Sequence, residues 1–334
     1  MASVVHNWGE ILRTQNLTST EDMDLVSRWL LITRASVFPM TITSAAIGGL
    51  LAVSAPGEKS WAAFWLASIG LVIAHAANNM INDYFDLEGG VDTASTVRGQ
   101  YAPHPVLDGL TTKAGLLIAI AVLNLLDLAI LVQLTSMRGW ETAAFALLGL
   151  FVSVSYVAPP LKLKHRGLGE PGVAVVWGPL MIGGVYYVTA GTLSAPVVAA
   201  SLPYALLVTC VLIGKHIDKF EADSAKGIRT LPVILGRERA LFLTQELMVA
   251  FFVLVAVLVL TGTLGVWTLL VFAATPRLVE VLRTYRAPKP SQVPAGYPLW
   301  PLWYVAWAFL LTRRAGALLV VGLVLDALWP LHLS

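Results

Sequence analysis

The chain has 334 residues, of which 57% are hydrophobic and only 13% are charged, and its mean hydropathy is +0.75. A soluble domain carries about 25% charged residues, so this composition excludes a soluble protein and indicates a polytopic membrane protein. The net charge of +2 gives no sign of a nucleic acid partner, and we expect none; the single cysteine, Cys210, excludes an intrachain disulfide framework.

Residues 1–27 form a polar N-terminal segment of mixed charge, without the short apolar core of a signal peptide. Within it, residues Trp8 to Leu17 predict an amphipathic helix that lies on the membrane surface with Trp8, Ile11 and Leu12 inward. The rest of the chain, to residue 334, is interpreted as one domain.

Apolar stretches of about 20 residues, the length needed to cross a bilayer, recur from residue 30 onward. They predict an all-α fold of about nine transmembrane helices, with Pro39 as a kink in the first. The predicted spans are Leu30–Val53, Trp61–Ile81, Ala114–Thr135, Ala143–Ala158, Gly172–Ala190, Pro196–Gly214, Ala240–Leu260, Leu264–Val281 and Gly316–Pro330.

Two connecting segments stand out. The loop of some thirty residues that ends at Thr112 is too long for a simple connector, so we interpret it as a functional lid. The aromatic, proline-rich segment Tyr297–Trp307 is predicted to rest at the membrane interface before the last span.

The basic residues predict an orientation. With nine spans, 20 of the 22 Lys and Arg residues fall on one side, and only Lys59 and Arg138 fall on the other. Positively charged loops face the cytoplasm, so we expect the N-terminus inside and the C-terminus outside.

The second span leads into Asn78–Asp92, where four carboxylates and three amides follow a membrane-buried segment. On a helix, residues that are three or four positions apart share one face. This spacing holds for three pairs: Asn79 with Asp83, Asn82 with Asp86, and Asp83 with Asp86. Converging oxygen ligands suit Mg²⁺, which prefers one or two carboxylates together with substrate phosphates. A solvated helix end is the simpler alternative, although ionisable groups inside membranes are usually functional.

A second acidic cluster, Lys215–Asp223, follows the sixth span on the same predicted side. Two facing acidic clusters could hold two or more Mg²⁺ ions around a diphosphate. Nearby basic residues would donate charge-assisted hydrogen bonds to its oxygens; they are Arg98, Lys164, Lys215, Lys226 and Arg229.

A third element, Tyr156–Glu170, begins at the end of the fourth span and carries Pro159-Pro160 and a run of basic residues. For Lys162 and Arg166, anchoring to anionic lipid is as good an explanation as a catalytic role.

These three motifs, in this order, resemble those of the UbiA superfamily of intramembrane prenyltransferases. Asn82-Asp83-Tyr84-Phe85-Asp86 with Asp92 resembles its first signature, Lys215–Asp223 its second aspartate motif, and Tyr156–Lys164 its loop between spans four and five. Asn-Asp-Tyr-Phe-Asp and Gly-Leu-Gly-Glu further resemble the branch that prenylates 1,4-dihydroxy-2-naphthoate in menaquinone synthesis. The resemblance implies helices around a central cavity that is closed by a cytoplasmic lid, in a bacterial plasma membrane.

The resemblance also implies site residues. Catalysis would fall to Asp83, Asp86, Asp218 and Asp223. Mg²⁺ would be held by Asn82, Asp83, Asp86, Asp92, Asp218, Glu221 and Asp223. The substrate would be bound by Arg34, Asn78, Asn82, Arg98, Tyr156, Lys164, Lys215 and Arg229.

This chain departs from the branch at two places, Lys215–Lys219 in place of an Asn-Asn-x-Arg-Asp run, and Pro103-His104-Pro105 in the lid. Within the altered motif we predict that Asp218 and Asp223 face the metal and that Glu221 turns partly away. This requires the helix to end near Phe220–Ala222. On a continuous helix, Asp218 and Asp223 would point about 140° apart, and Asp218 would pair with Glu221 instead.

The implied reaction ionises a polyprenyl diphosphate and lets an aromatic acceptor attack the cation, with water excluded. Tyr84, Phe85, Tyr156 and Trp177 could stabilise the cation, although each can equally serve packing. Two alternatives stay open: a terpene cyclase of the same superfamily, which needs no acceptor, and a transporter that uses the intramembrane Asp127 beside Asn124.

Overall fold

The structure, a computed structural model, describes residues 2–17, 23–91, 93 and 102–333. Apart from one isolated β-bridge between Arg166 and Arg229, the regular structure of these residues is helical. The two helices before the first span are α1 (Ala2–Thr14) and α2 (Leu25–Ile32).

The helices of the membrane region follow in chain order. They are α3 (Phe38–Val53), α4 (Trp61–Glu88), α5 (Lys113–Arg138), α6 (Trp140–Val157), α7 (Gly169–Val175), α8 (Met181–Ala190), α9 (Ala195–Asp218), α10 (Phe220–Ala225), α11 (Leu231–Leu235), α12 (Arg237–Leu260), α13 (Thr275–Arg286) and α14 (Tyr304–Leu328). A π-helical turn, Val176–Leu180, joins α7 to α8, and 3₁₀ helices cover Ala35–Val37, Leu163–His165 and Val266–Ala274.

Within the described residues, eight helices are long and apolar enough to cross a membrane, so the all-helical, multi-pass prediction is confirmed. The predicted eighth span, Leu264–Val281, is not among them, because it is split into the 3₁₀ helix 266–274 and the charged helix α13. It nevertheless runs the length of the bundle beside α14. Val266 N donates to Leu331 O (2.7 Å) at one end, and Tyr285 Oη donates to Tyr304 O (2.9 Å) at the other.

A close helix contact explains how this irregular segment packs. A Cβ on Gly322 of α14 would lie 2.6 Å from Trp267 O, so only glycine lets the two backbones approach. Small residues permit such contacts between membrane helices, where lipid gives no hydrophobic drive for association.

Three predicted boundaries were wrong. The first span begins after a break at Arg34 (φ 56°) rather than kinking at Pro39, which sits in the first turn of α3, where proline is tolerated. Helix α4 continues beyond Ile81 to Glu88, where Gly89 and Gly90 end it. The last helix begins at Tyr304, so the end of the predicted interface segment is already helical.

The two ends of the bundle differ in the side chains that they carry. The polar motifs lie at the end where α4 and α9 finish, which we call the motif end. At the opposite end, Arg138 donates to Val188 O (2.7 Å) and Thr189 O (2.8 Å), and Ser60 N donates to Thr189 O (2.9 Å).

Candidate active site

The last three turns of α4 carry the first motif. Asn78, Asn82 and Asp86 follow one another at four-residue intervals, and so do Asn79 and Asp83. The side chain of Asn79 donates to Thr33 O (2.9 Å), which ties this face to the break before α3. Asp83 and Asp86 are both buried, so their carboxylates require compensating partners.

Basic residues from two other segments supply those partners. The guanidinium of Arg34 is hydrogen-bonded to Asp83, because the left-handed backbone at residue 34 places its side chain beside α4. Lys164 Nζ donates to both oxygens of Asp86, at 2.9 and 2.8 Å, and is itself buried. The predicted substrate-binding residues Arg34 and Lys164 are therefore brought together with the first motif.

The second motif reaches the same place from α9. Helix α9 ends at Asp218 and α10 begins at Phe220, so the helix does break, slightly before the predicted position. Lys226 Nζ donates to Gly90 O (3.2 Å) and to Val91 O, which joins the loops after the two motifs. Lys215 and Lys219 lie close enough to Asp86 to attract it electrostatically.

Among the buried oxygen atoms at this end that have no hydrogen-bond partner within the described residues are Asn78 Oδ1, Asn82 Oδ1 and Asp223 Oδ2. Buried acceptors are rarely left without a donor or cation. Within the described part of the chain, no three His, Cys, Asp or Glu side chains converge on a metal position by themselves. A donor set of one or two carboxylates with amide oxygens fits Mg²⁺ only when phosphate or water completes its six-coordinate shell.

Asp218, which was predicted to hold the metal, contacts the start of α14. Its carboxylate accepts hydrogen bonds from Trp303 N (2.9 Å), Tyr304 N (3.1 Å) and Val305 N (3.0 Å), and it lies 3.7 Å from Lys289 Nζ. The first amides of a helix need such acceptors, so Asp218 caps α14. The end of α9 therefore directs the Asp218 carboxylate toward α14, whereas the sequence predicted that it faces a metal together with Asp223.

The remaining predicted residues are spread more widely. Glu221, predicted as a metal ligand that turns partly away, is exposed and paired with Arg237 (2.6 Å). Arg229 is exposed and forms the backbone bridge with Arg166. Asp92 and Arg98 lie outside the described residues.

The lid prediction is described only in part, over residues 102–112. There, His104 is fully buried. Its ring Nδ1 accepts from Val106 N (3.2 Å), and its backbone N donates to the carboxylate of Asp108 (2.5 Å).

The third motif contains a second histidine, His165. Burial lowers the pKa of His165 most and the nearby Lys164 lowers it further, so its imidazole is uncharged at neutral pH.

A hydrogen-bonded set of three side chains, two of them buried, connects the third motif to the second, and sequence reasoning missed it. Glu170 Oε1 lies 2.7 Å from His216 Nδ1, and His216 Nε2 lies 3.2 Å from Tyr156 Oη. Only the polarity of Glu170 and His216 next to apolar spans could have indicated it.

An apolar cavity of about 300 Å³ lies between α4, α5, α6 and the α7–α8 helix. Along α4 its lining runs from Ile81 down to Ala67, about 21 Å, and includes Asn78 at the motif end. Trp177 lines it with its ring edge-on to His75 at 5.3 Å, and Asp127 lines its lower part. The polar motif therefore sits at the mouth of an apolar chamber.

The sequence profile of the UbiA prenyltransferase family matches residues 41–300. The chain belongs to the UbiA prenyltransferase family. It is 26% identical over 213 residues to 1,4-dihydroxy-2-naphthoate octaprenyltransferase of Bacillus subtilis, a match that covers 63% of this chain and 66% of the relative, just under two thirds. It is 24% identical over 257 residues to 2-carboxy-1,4-naphthoquinone phytyltransferase of Synechocystis, covering 76% of this chain and 81% of the relative.

A solved UbiA homologue from Archaeoglobus fulgidus, bound to GPP and Mg²⁺, has the same fold, with a TM-score of 0.58 and 16% identity over 87% of this chain and 99% of that one. The profile match and the two relatives confirm the resemblance seen in the motifs. The chain is a multi-pass membrane protein of the UbiA prenyltransferase family, with its three motifs at one end of the bundle.

Proposed function

We propose that this UbiA-family enzyme transfers a prenyl group from a polyprenyl diphosphate to an aromatic acceptor, with Mg²⁺, at the motif end of the bundle. The observation that carries the proposal is the set of unpartnered oxygens of Asn78, Asn82 and Asp223, surrounded by buried cations at the mouth of an apolar cavity. A diphosphate with its metal fits the polar part, and a prenyl chain fits the apolar part.

Mg²⁺ would be held by Asn82, Asp83, Asp86 and Asp223, with diphosphate oxygens completing its shell. When bound, it supplies neutralising charge to the leaving diphosphate. Asp218 and Glu221 are left out of this set because one caps α14 and the other lies at the surface.

The leaving group would meet a cluster of side-chain cations. Lys164, Arg34, Lys215 and Lys219 surround Asp83 and Asp86. Such preorganised charges stabilise the negative charge that develops on the diphosphate as the allylic C–O bond breaks.

The cavity would hold the prenyl chain and keep water from the allylic cation. Trp177 presents an indole ring in its lining, where a cation is stabilised by the face of an aromatic ring. Asn124 and Asp127, the polar residues that α5 contributes to the lining, lie away from the motif end, which does not favour a transport function.

Both curated relatives act, by their names, on naphthalene-type acceptors, which supports an aromatic acceptor of that class. The bias of Lys and Arg toward the motif end supports a cytoplasmic active site with the C-terminus on the opposite side.

The test is to incubate purified protein with labelled geranyl diphosphate and Mg²⁺, with and without 1,4-dihydroxy-2-naphthoate, and to identify products by mass spectrometry. A prenylated naphthoate supports the proposal. Diphosphate release with a cyclic hydrocarbon and no acceptor would assign a cyclase instead. Failure to release diphosphate with any acceptor of the class would contradict both.

A further inference from the structure

Tyr156, His216 and Glu170 form a continuous hydrogen-bonded chain at the active site. His216 Nδ1 lies 2.7 Å from Glu170 Oε1, and its Nε2 lies 3.2 Å from Tyr156 Oη. The same Glu170 oxygen accepts from Leu231 N at 3.2 Å, which holds the carboxylate in place.

The chemistry of Glu170 decides which atom donates in each hydrogen bond of the chain. A carboxylate can only accept, so His216 carries its proton on Nδ1 and donates it to Glu170. Nε2 is then a bare acceptor, and the hydroxyl of Tyr156 donates to it. Each proton in the chain is thus placed for transfer toward Glu170.

Only Tyr156 can be touched by a substrate. The side chains of His216 and Glu170 are each 1% exposed, whereas Tyr156 is partly exposed. The ring of Tyr156 packs on Gly169, where an added Cβ would lie 2.8 Å from the ring and 3.4 Å from Lys164 Cα. Tyr156 therefore lies beside the lysine that holds Asp86.

We propose that these three residues form a relay that takes up the proton lost by the acceptor, an inference that rests on the proposed function. As the acceptor's ring carbon bonds to the prenyl carbon, the diphosphate departs with the electron pair of the broken C–O bond. The acceptor's proton passes to Tyr156 Oη, and the proton of Tyr156 passes to His216 Nε2. The resulting imidazolium is paired with Glu170. Tyr156 is the catalytic residue, and His216 and Glu170 act through it.

The state of Glu170 favours this direction of transfer. Its second oxygen, Oε2, is buried without a hydrogen-bond partner within the described residues. A buried carboxylate with so few donors is stabilised when its neighbouring imidazole becomes positive. The buried carboxylate thus provides the counter-charge that the proton on His216 needs.

The test compares Tyr156→Phe, which keeps the ring on Gly169, with the matched control Tyr187→Phe. Tyr187 Oη is bonded to Arg138 O (2.9 Å) and Glu141 Oε2 (3.1 Å) at the opposite end of the bundle. The readouts are the affinity for geranyl diphosphate with Mg²⁺, the single-turnover rate of transfer to 1,4-dihydroxy-2-naphthoate, and the rate in D₂O.

For Tyr156→Phe we expect transfer to slow by about 100-fold or more, with donor affinity changed by less than about threefold. The solvent isotope effect of the unaltered enzyme should disappear. His216→Gln should slow transfer in the same way, and Tyr187→Phe should leave it unchanged.

Transfer at the unaltered rate in Tyr156→Phe would overturn the relay while the proposed function stands. A parallel loss of donor affinity and transfer would also overturn it, because the hydroxyl would then be a diphosphate ligand. Absence of transfer in the unaltered protein would overturn the proposed function and the relay together.

Discussion

Lys164 is the residue at which two of the motifs meet. Its ammonium is buried and bound to both oxygens of Asp86, so a segment that follows α6 neutralises a carboxylate of α4. Removing one partner of a buried ion pair leaves an uncompensated charge, at a cost of about 3–5 kcal/mol. In the enzyme, Mg²⁺ and diphosphate would share that carboxylate and that ammonium.

Lys164→Ala should therefore weaken the binding of geranyl diphosphate by about tenfold or more, and should lower the melting temperature in detergent. Lys162→Ala is the matched control, because Lys162 is only half-buried and stands outside the ion pairs of the described residues. Binding measured by titration calorimetry checks both. Equal, small effects of the two substitutions would indicate that this segment anchors the protein to anionic lipid and does not bind the donor.

At the residue scale, sequence reasoning succeeded where a side chain's neighbours lie on its own element. The four-residue spacing of Asn82 and Asp86 was enough to place both on one face of α4. It failed at Asp218 because the partners of that carboxylate are amides some 85 residues away, at Trp303 to Val305. The contact between Glu170 and His216 was hidden for the same reason.

At the scale of elements, the start of α14 depends on α9. Asp218 supplies the acceptors for three amides at the N-terminus of a 25-residue helix. Each hydrogen bond to a charged group contributes about 1.5–3 kcal/mol, so this cap joins two long spans.

Asp218→Ala should consequently lower the melting temperature by several degrees, with transfer activity per folded molecule changed by less than about threefold. Asp223→Asn should behave in the opposite way, with transfer lost and melting nearly unchanged. Thermal unfolding in detergent and product formation, measured on the same samples, check the contrast. If Asp218→Ala abolished transfer at an unchanged melting temperature, Asp218 would be assigned as a metal ligand and not as the cap of α14.

If the prenyl chain occupies the cavity between α4, α5 and α6, narrowing the cavity should affect long donors more than short ones. Gly149 lines it, and an added Cβ there meets nothing within 4 Å. Gly149→Phe should fill the space and reduce transfer from farnesyl diphosphate more than from dimethylallyl diphosphate. Leu148→Phe, at an exposed neighbour on α6 outside the cavity lining, is the control. Equal loss with both donors would show that the prenyl chain lies elsewhere.

Most helices could be predicted because a run of about 20 apolar residues leaves a membrane chain few other structures. The boundaries that failed are those where polar residues continue a helix, as in α4 as far as Glu88, or where a buried partner begins one, as at Tyr304. The predicted span Leu264–Val281 is replaced by a 3₁₀ helix, 266–274, followed by the charged helix α13, and this split could not be anticipated from hydropathy.

At the scale of the whole molecule, charge and polarity separate the two ends of the bundle. Acidic and basic motif residues lie at one end, and Lys59 and Arg138 lie at the other. The proposed orientation can be measured directly, because Cys210, the single native cysteine, is buried.

In bacterial spheroplasts, a membrane-impermeant maleimide should label Lys59→Cys and should not label Glu221→Cys until the membrane is opened. Both positions are polar and lie outside the spans, which makes them a matched pair. The reverse labelling pattern would mean that the active site faces outward.

The proposed function depends most on a shared metal–diphosphate site built by the first motif and Asp223. The most direct measurement is the affinity for geranyl diphosphate, with Mg²⁺ or with EDTA, in the unaltered enzyme, Asp223→Asn and Glu221→Gln. We expect EDTA and Asp223→Asn each to weaken binding by about tenfold or more, while Glu221→Gln binds normally. EDTA removes the cation that neutralises the diphosphate, and Asp223→Asn removes a carboxylate that would hold that cation. Binding that is equally tight in EDTA and in Asp223→Asn would contradict the site described here.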